Sequence, residues 1–168
     1  MEPIKKLLPS IADAESFKFI TYLLEKNGDE DPSILIPFFH ENQAIKKNAI
    51  YAVGIMPNKM NHVEEFIACL QEDDPTIIHT TVQALRDVND SRLLPYYEKL
   101  LRVYAKNEHY ILTNIMLRLE ELGDSAKDLL ELTLHHPHLE TREKAASILE
   151  KLPAAHSKRK WFGGWGKK

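Results

Sequence analysis

Apolar residues return at three- and four-residue intervals along most of this chain, and short polar breaks interrupt them at regular distances. That spacing lays the apolar side chains along one face of an α-helix. The breaks fall at Asn27-Gly28, Pro57-Asn58, Asp73-Asp74-Pro75, Asn89-Asp90, Gly123-Asp124 and Pro153. Between them the pattern predicts helices over residues 33–39, 44–56, 59–71, 76–88, 91–105, 108–122, 125–134 and 139–152. Ahead of these lies a lead-in, residues 1–30. There Ile4, Leu7 and Leu8 suit a short helix interrupted by Pro9, and Phe17, Ile20, Tyr22, Leu23 and Leu24 recur at helical spacing. With only six glycines and few β-branched runs, the sequence leaves little room for a sheet.

The predicted helices group into four pairs, and the short connections make paired helices antiparallel. The pairs echo one another. Asn89-Asp90 and Gly123-Asp124 stand 34 residues apart and close helices of similar pattern. In the second helix of each pair, Ile45, Ile77, Ile111 and Thr141 fall at one equivalent position. Ala49, Thr81, Ile115 and Ala145 follow four residues on; Val53, Leu85, Leu119 and Leu149 come next; Met56, Val88, Leu122 and Leu152 end the stripe. Small residues in its middle let helices approach closely. The first helices carry a second echo, since Ser33-Ile34-Leu35-Ile36-Pro37-Phe38-Phe39 matches Ser91-Arg92-Leu93-Leu94-Pro95-Tyr96-Tyr97. Each serine is the expected N-cap. Each proline, four residues on, is expected to kink the helix at one repeated register.

A repeat of this kind has a family likeness. Asp73-Asp74-Pro75, then Ile77-Ile78, Thr80-Thr81, Ala84-Leu85 and Val88-Asn89-Asp90, resembles the HEAT-like repeats of bacterial proteins, the short type also found in phycobilisome lyases. Thr141-Arg142 with Ala145-Ala146 and Leu149 fits that motif, and Leu122-Gly123-Asp124 fits its terminator. Ile78 departs from the motif's arginine, and Lys46 approximates it. The Trp-x-x-Leu-Gly-x-x-Tyr of tetratricopeptide repeats and the Thr-Pro-Leu-His of ankyrin repeats do not occur. The resemblance covers residues 30–152. It implies an all-α fold: a right-handed α-solenoid of antiparallel, HEAT-like or armadillo-like helix pairs over residues 31–153. Residues 1–30 would be its helical cap, and residues 154–168 a flexible basic and aromatic tail. It also implies that the second helices line a concave, partner-binding face. Carried over by position, that face would present Lys47 and Tyr51, His79 and Gln83, Thr113 and Leu117, and Glu143 and Ser147.

Composition narrows the reading further. A chain of 168 residues with 43% hydrophobic content can bury a sizeable core. No apolar run approaches the 18 residues of a membrane span, and Met1 to Lys6 lacks the apolar segment of a signal peptide. Cys69 is the single cysteine and excludes an intrachain disulfide. These features point to a reducing compartment, the cytoplasm. The net charge of −3 is uneven: residues 158–168 carry five cations and no acid, which leaves −8 on the rest. An acidic body repels phosphate backbones, and this argues against nucleic acid as a partner.

Candidate chemistry is sparse. The His135-His136-Pro137-His138 cluster has metal-ligating residue types, but its spacing follows no zinc pattern and it reads as a polar turn. Cys69, in Ile67-Ala68-Cys69-Leu70, reads as a buried structural thiol. Glu64-Glu65, Glu72-Asp73-Asp74 and Glu120-Glu121 are adjacent acids, suited to helix ends and solvated faces rather than to opposed positions across a catalytic cleft; Asp73 or Asp74 is the expected cap of the helix at Pro75. The sequence holds no glycine-rich phosphate loop, no Gly-x-Ser-x-Gly and no His-Glu-x-x-His. It gives no sign of a catalytic residue, cofactor site or metal site. An enzyme subunit built on such repeats, as in bilin lyases, is the competing class.

The tail, Lys158, Arg159, Lys160, Trp161, Phe162, Gly163, Gly164, Trp165, Gly166, Lys167 and Lys168, holds both tryptophans of the chain. Its cations suit an anionic membrane surface, with Trp and Phe entering the interface. The same residues suit a protein partner with Trp as anchor, or single-stranded nucleic acid stacked on the indoles, or a plain soluble extension. The expectation is a non-catalytic protein-binding adaptor whose tail recruits it to a membrane surface or a larger assembly.

Overall fold

The computed structural model describes residues 31–105 and 109–152, together with Glu15, Phe19, Tyr22, Leu23 and Lys26. Among the described residues the regular structure is all helical. The five isolated positions of the lead-in are helical too. Tyr22, one of the apolar positions expected there, is exposed, with the Lys26 ammonium 5.6 Å above its ring. The tail at 154–168 lies outside the described residues.

The chain divides into two compact units, one ending at Val88 and the other beginning at Asn89. The first contains α1 (Gln43–Gly54), α2 (Val63–Leu70) and α3 (Pro75–Ala84). Asn42 caps α1 through bonds from the Ala44 and Ile45 N–H groups, and Asp74 caps α3 from Thr76 (2.7 Å) and Ile77. Of the two expected capping acids, Asp74 is therefore the one, with Pro75 at a first-turn position that needs no N–H. The predicted helix 59–71 begins instead as a 3-10 turn, Pro57–His62, and becomes α-helical at Val63. The core of this unit includes Phe39 and Phe66, edge to face at 5.6 Å, and the buried Ile50, Leu70, Ile77 and Ile78. Helix α3 packs on both α1 and α2. The α1 contact is close: a Cβ built on Gly54 would lie 2.5 Å from the Ala84 Cβ.

The second unit contains α4 (Leu94–Val103), α5 (His109–Leu122), α6 (Lys127–Thr133) and α7 (Leu139–Lys151). Helix α7 packs on α5 and α6. Gly123, at φ +55°, closes α5 in the left-handed region that glycine adopts freely. Arg142 reaches back from α7, donating to the carbonyls of His136 (2.8 Å) and Pro137 (3.0 Å).

Three local expectations are corrected. Asp31 and Asp90, not Ser33 and Ser91, are the caps, accepting from the Ser33 and Arg92 N–H groups; each carboxylate reaches the N–H two residues after it, as in an Asx turn. The prolines do not kink helices. The chain breaks ahead of each, into 3-10 turns Pro32–Ile34 and Ser91–Leu93, and Pro37 and Pro95 then sit in the first turn of the next segment, Ile36–His40 and α4. Finally, the helix predicted to reach Val88 ends at Ala84, because Asp87 adopts φ +62° and turns the chain.

The apolar stripe is where the sequence placed it. Its members in α1, α3 and α5, through Met56, Val88 and Leu122, are all buried. Thr141 and Ala145 of α7 are buried as well, and Leu149 and Leu152 half-buried.

Candidate functional site

Tyr110, Thr113 and Leu117 recur at helical spacing along one face of α5, and all three are exposed. One turn inward, Leu112 and Met116 are almost wholly buried. Helix α7 lies across from them and contributes Glu140, Thr141 and Lys144; His138, in the turn before α7, closes one end. The result is a groove of about 210 Å³ with an apolar floor and a polar rim. His138 Nδ1 is hydrogen-bonded to the Thr141 hydroxyl at 3.0 Å. Leu139, at the first turn of α7, is 56% exposed and adds apolar surface beside it.

Charge fixes the two groove helices. Glu120 of α5 accepts from two lysines of α7, Lys144 at 2.6 Å and Lys151 at 3.1 Å. These bonds hold its carboxyl below the usual carboxylate range. Glu120 stands nine residues after Ile111, as Gly54 of α1 stands nine after Ile45. In the first unit that position brings backbones together; in the second it carries a two-lysine bridge. The adjacent acids Glu120-Glu121 are thus not a merely solvated pair, since Glu121 also accepts from Arg118 at 3.1 Å.

Of the residues expected to form a concave face, Thr113 and Leu117 line this groove. Glu143 is exposed and Ser147 half-buried on α7, but the α7 wall is made by Glu140, Thr141 and Lys144. A shift of one residue along a helix turns a side chain by about 100°, which separates the two sets. In the first unit Lys47, Tyr51 and Gln83 are exposed and His79 is half-buried, its pKa lowered by that burial.

The histidine turn is less polar than its composition. His136 is fully buried, donating from Nε2 to the Leu101 carbonyl at 2.9 Å and accepting at Nδ1 from the His138 N–H at 3.1 Å. Both ring nitrogens are committed and the imidazole is neutral, held there by burial. Cys69 is buried as expected, and burial, with Glu72 nearby, pushes its thiol up to about 12. Its sulfur is a packing group, not a nucleophile. Lys46, by contrast, donates to Glu72 at 2.9 Å, tying α1 to the turn ahead of α3.

Among known proteins, no family model matches the chain, and no curated protein matches it.

Proposed function

We propose that this protein is a non-catalytic protein-binding adaptor, its helix pairs stacked as a small right-handed HEAT-like solenoid whose second helices carry the partner-binding face. The α5–α7 groove is the observation that carries this reading. It combines a buried apolar floor, an exposed Leu117 and a rim of both charge signs, which is the make-up of a surface that takes an apolar side chain and orients its backbone. The buried four-position stripe and the packing of α3 on α1 and of α7 on α5 support the stacking, since a helix pair hides its stripe only against a neighbour.

The tail supplies recruitment. Five cations at about 1 kcal/mol each contribute roughly 5 kcal/mol at an anionic surface, and the aromatics at 161, 162 and 165 add apolar insertion. The adaptor is placed in the cytoplasm, at the membrane surface when the tail is engaged. Trp161 and Trp165 are the only tryptophans, so emission excited selectively at Trp reports the tail alone. Titration with anionic vesicles, neutral vesicles and a single-stranded oligonucleotide tests the recruitment: a blue shift with anionic vesicles only, weakened by salt, is expected. A response to the oligonucleotide alone would transfer the tail to nucleic acid, and no response to any of the three would leave it for a protein partner.

A further inference from the structure

The repeat alignment exposes one residue out of place. Seven positions after the first stripe residue stand Ala52 in α1, Ala84 in α3, Arg118 in α5 and Ile148 in α7. All four are buried, Arg118 to 7% exposure, and only Arg118 is polar. A second exception lies on the neighbouring helix. Tyr97 of α4 occupies the register of Phe39, and it too is fully buried.

Neither side chain is satisfied by the protein. Arg118 uses Nη2 on Glu121, while its Nε and Nη1 have no hydrogen-bond partner, and nor does the Tyr97 hydroxyl. The two helices pack together. The two groups also feel each other electrostatically: burial pushes the Tyr97 hydroxyl up, and the Arg118 charge opposes that rise. A buried guanidinium with open N–H donors is among the least favourable groups a core can hold, and alanine, isoleucine or phenylalanine would serve the packing alone. Their replacement in one unit by two groups with open N–H and O–H donors therefore points to an acceptor that the protein itself does not supply.

We propose that Arg118 and Tyr97 form a binding site for a small planar oxygen monoanion, such as a short carboxylate or nitrate. A guanidinium is planar and matches the plane of such an anion through its N–H groups, and the Tyr97 hydroxyl adds a neutral donor. Glu121, on the outer side, balances the arginine charge without using its Nε or Nη1. This site is separate from the α5–α7 groove, and neither depends on the other.

The test uses the full chain and two probes, sodium formate and sodium nitrate, at constant ionic strength. Two readouts are followed: the Arg118 Nε–H resonance by nitrogen–proton NMR and the thermal midpoint. One or both probes are expected to shift that resonance saturably and to raise the midpoint with the same dissociation constant, as binding to the folded state requires. Arg118→Met abolishes both responses. Tyr97→Phe, which restores the residue type of the other unit, weakens binding about fivefold, the loss of one neutral hydrogen bond. If neither probe acts and Arg118→Met is simply more stable at every concentration, the donors are hydrated and the proposal fails. Should Arg118→Met not fold, an unaltered affinity in Tyr97→Phe would overturn it equally.

Discussion

Two buried residues set the limits of tolerance in this fold. His136 is held neutral because one nitrogen must donate to Leu101 and the other must accept from His138. Its folded pKa lies below the ordinary 6.5, with burial the largest cause. The unfolded chain therefore binds a proton at a pH where the folded chain does not. The stability that His136 contributes is complete above 6.5 and is lost as the pH falls through 6.5 toward the folded value. A His136→Asn variant is expected to be less stable at pH 7.5 but to lose less on acidification to pH 5; thermal unfolding of both chains across that range checks it. Gly54 limits the fold by size. Alanine is the better helix former, but its Cβ would press on the Ala84 Cβ at 2.5 Å and on the Ala84 Cα at 2.7 Å. Gly54→Ala should therefore destabilise by about 1–3 kcal/mol in urea unfolding, the usual cost of overpacking, against a propensity gain of about 1 kcal/mol.

At the scale of elements, the helices are set by their ends as much as by their apolar faces. Asp74 accepts from two N–H groups of α3 and also from the Gln43 side chain at the start of α1. One carboxylate thus starts one helix and ties down another. Asp74→Ala should cost about 1 kcal/mol or somewhat more, and Asp74→Asn much less, since asparagine caps nearly as well; the urea midpoints of the two variants separate these outcomes. The same Asp-Pro pairing at Asp31-Pro32 starts a 3-10 turn rather than an α-helix, because Pro37 follows before an α-helical ladder is established. Capping chemistry therefore fixes where a helical segment begins, and the next proline decides what kind it becomes.

For the whole molecule, groove and tail are expected to be separable. Leu117 is 39% exposed, so Leu117→Glu places a charge at the groove without disturbing the core. On the proposed reading this substitution lowers affinity for a groove partner at least tenfold, the loss of about 1.4 kcal/mol or more for an apolar anchor, while leaving vesicle binding and the thermal midpoint unchanged. Removal of residues 157–168 should do the reverse. A co-purified partner retained by wild type and by the shortened chain, but lost by Leu117→Glu, establishes the groove as its site; equal retention by all three places the contact elsewhere.

The helical class, the buried stripe and the inert thiol were legible in the chain alone, because each rests on local periodicity and on the hydrophobicity of single residues. Ile45, Ala49 and Val53 could be assigned to a core, as could Ile111, Ile115 and Leu119, from spacing alone. The breaks at Asp74-Pro75 and Gly123 were legible for the same reason, since caps and left-handed turns are local chemistry. What lies between helices depends instead on how they pack. Which side of α7 faces α5 turns on a rotation of about 100° per residue, and the side that does so carries Glu140 and Lys144. The burial of His136 depends on the carbonyl of Leu101, 35 residues away in sequence, and the bridge of Glu120 to Lys144 and Lys151 joins two helices. Arg118, seven residues after Ile111, is charged where Ala52, Ala84 and Ile148 follow Ile45, Ile77 and Thr141 at the same distance, a signal present in the sequence but given its meaning by burial.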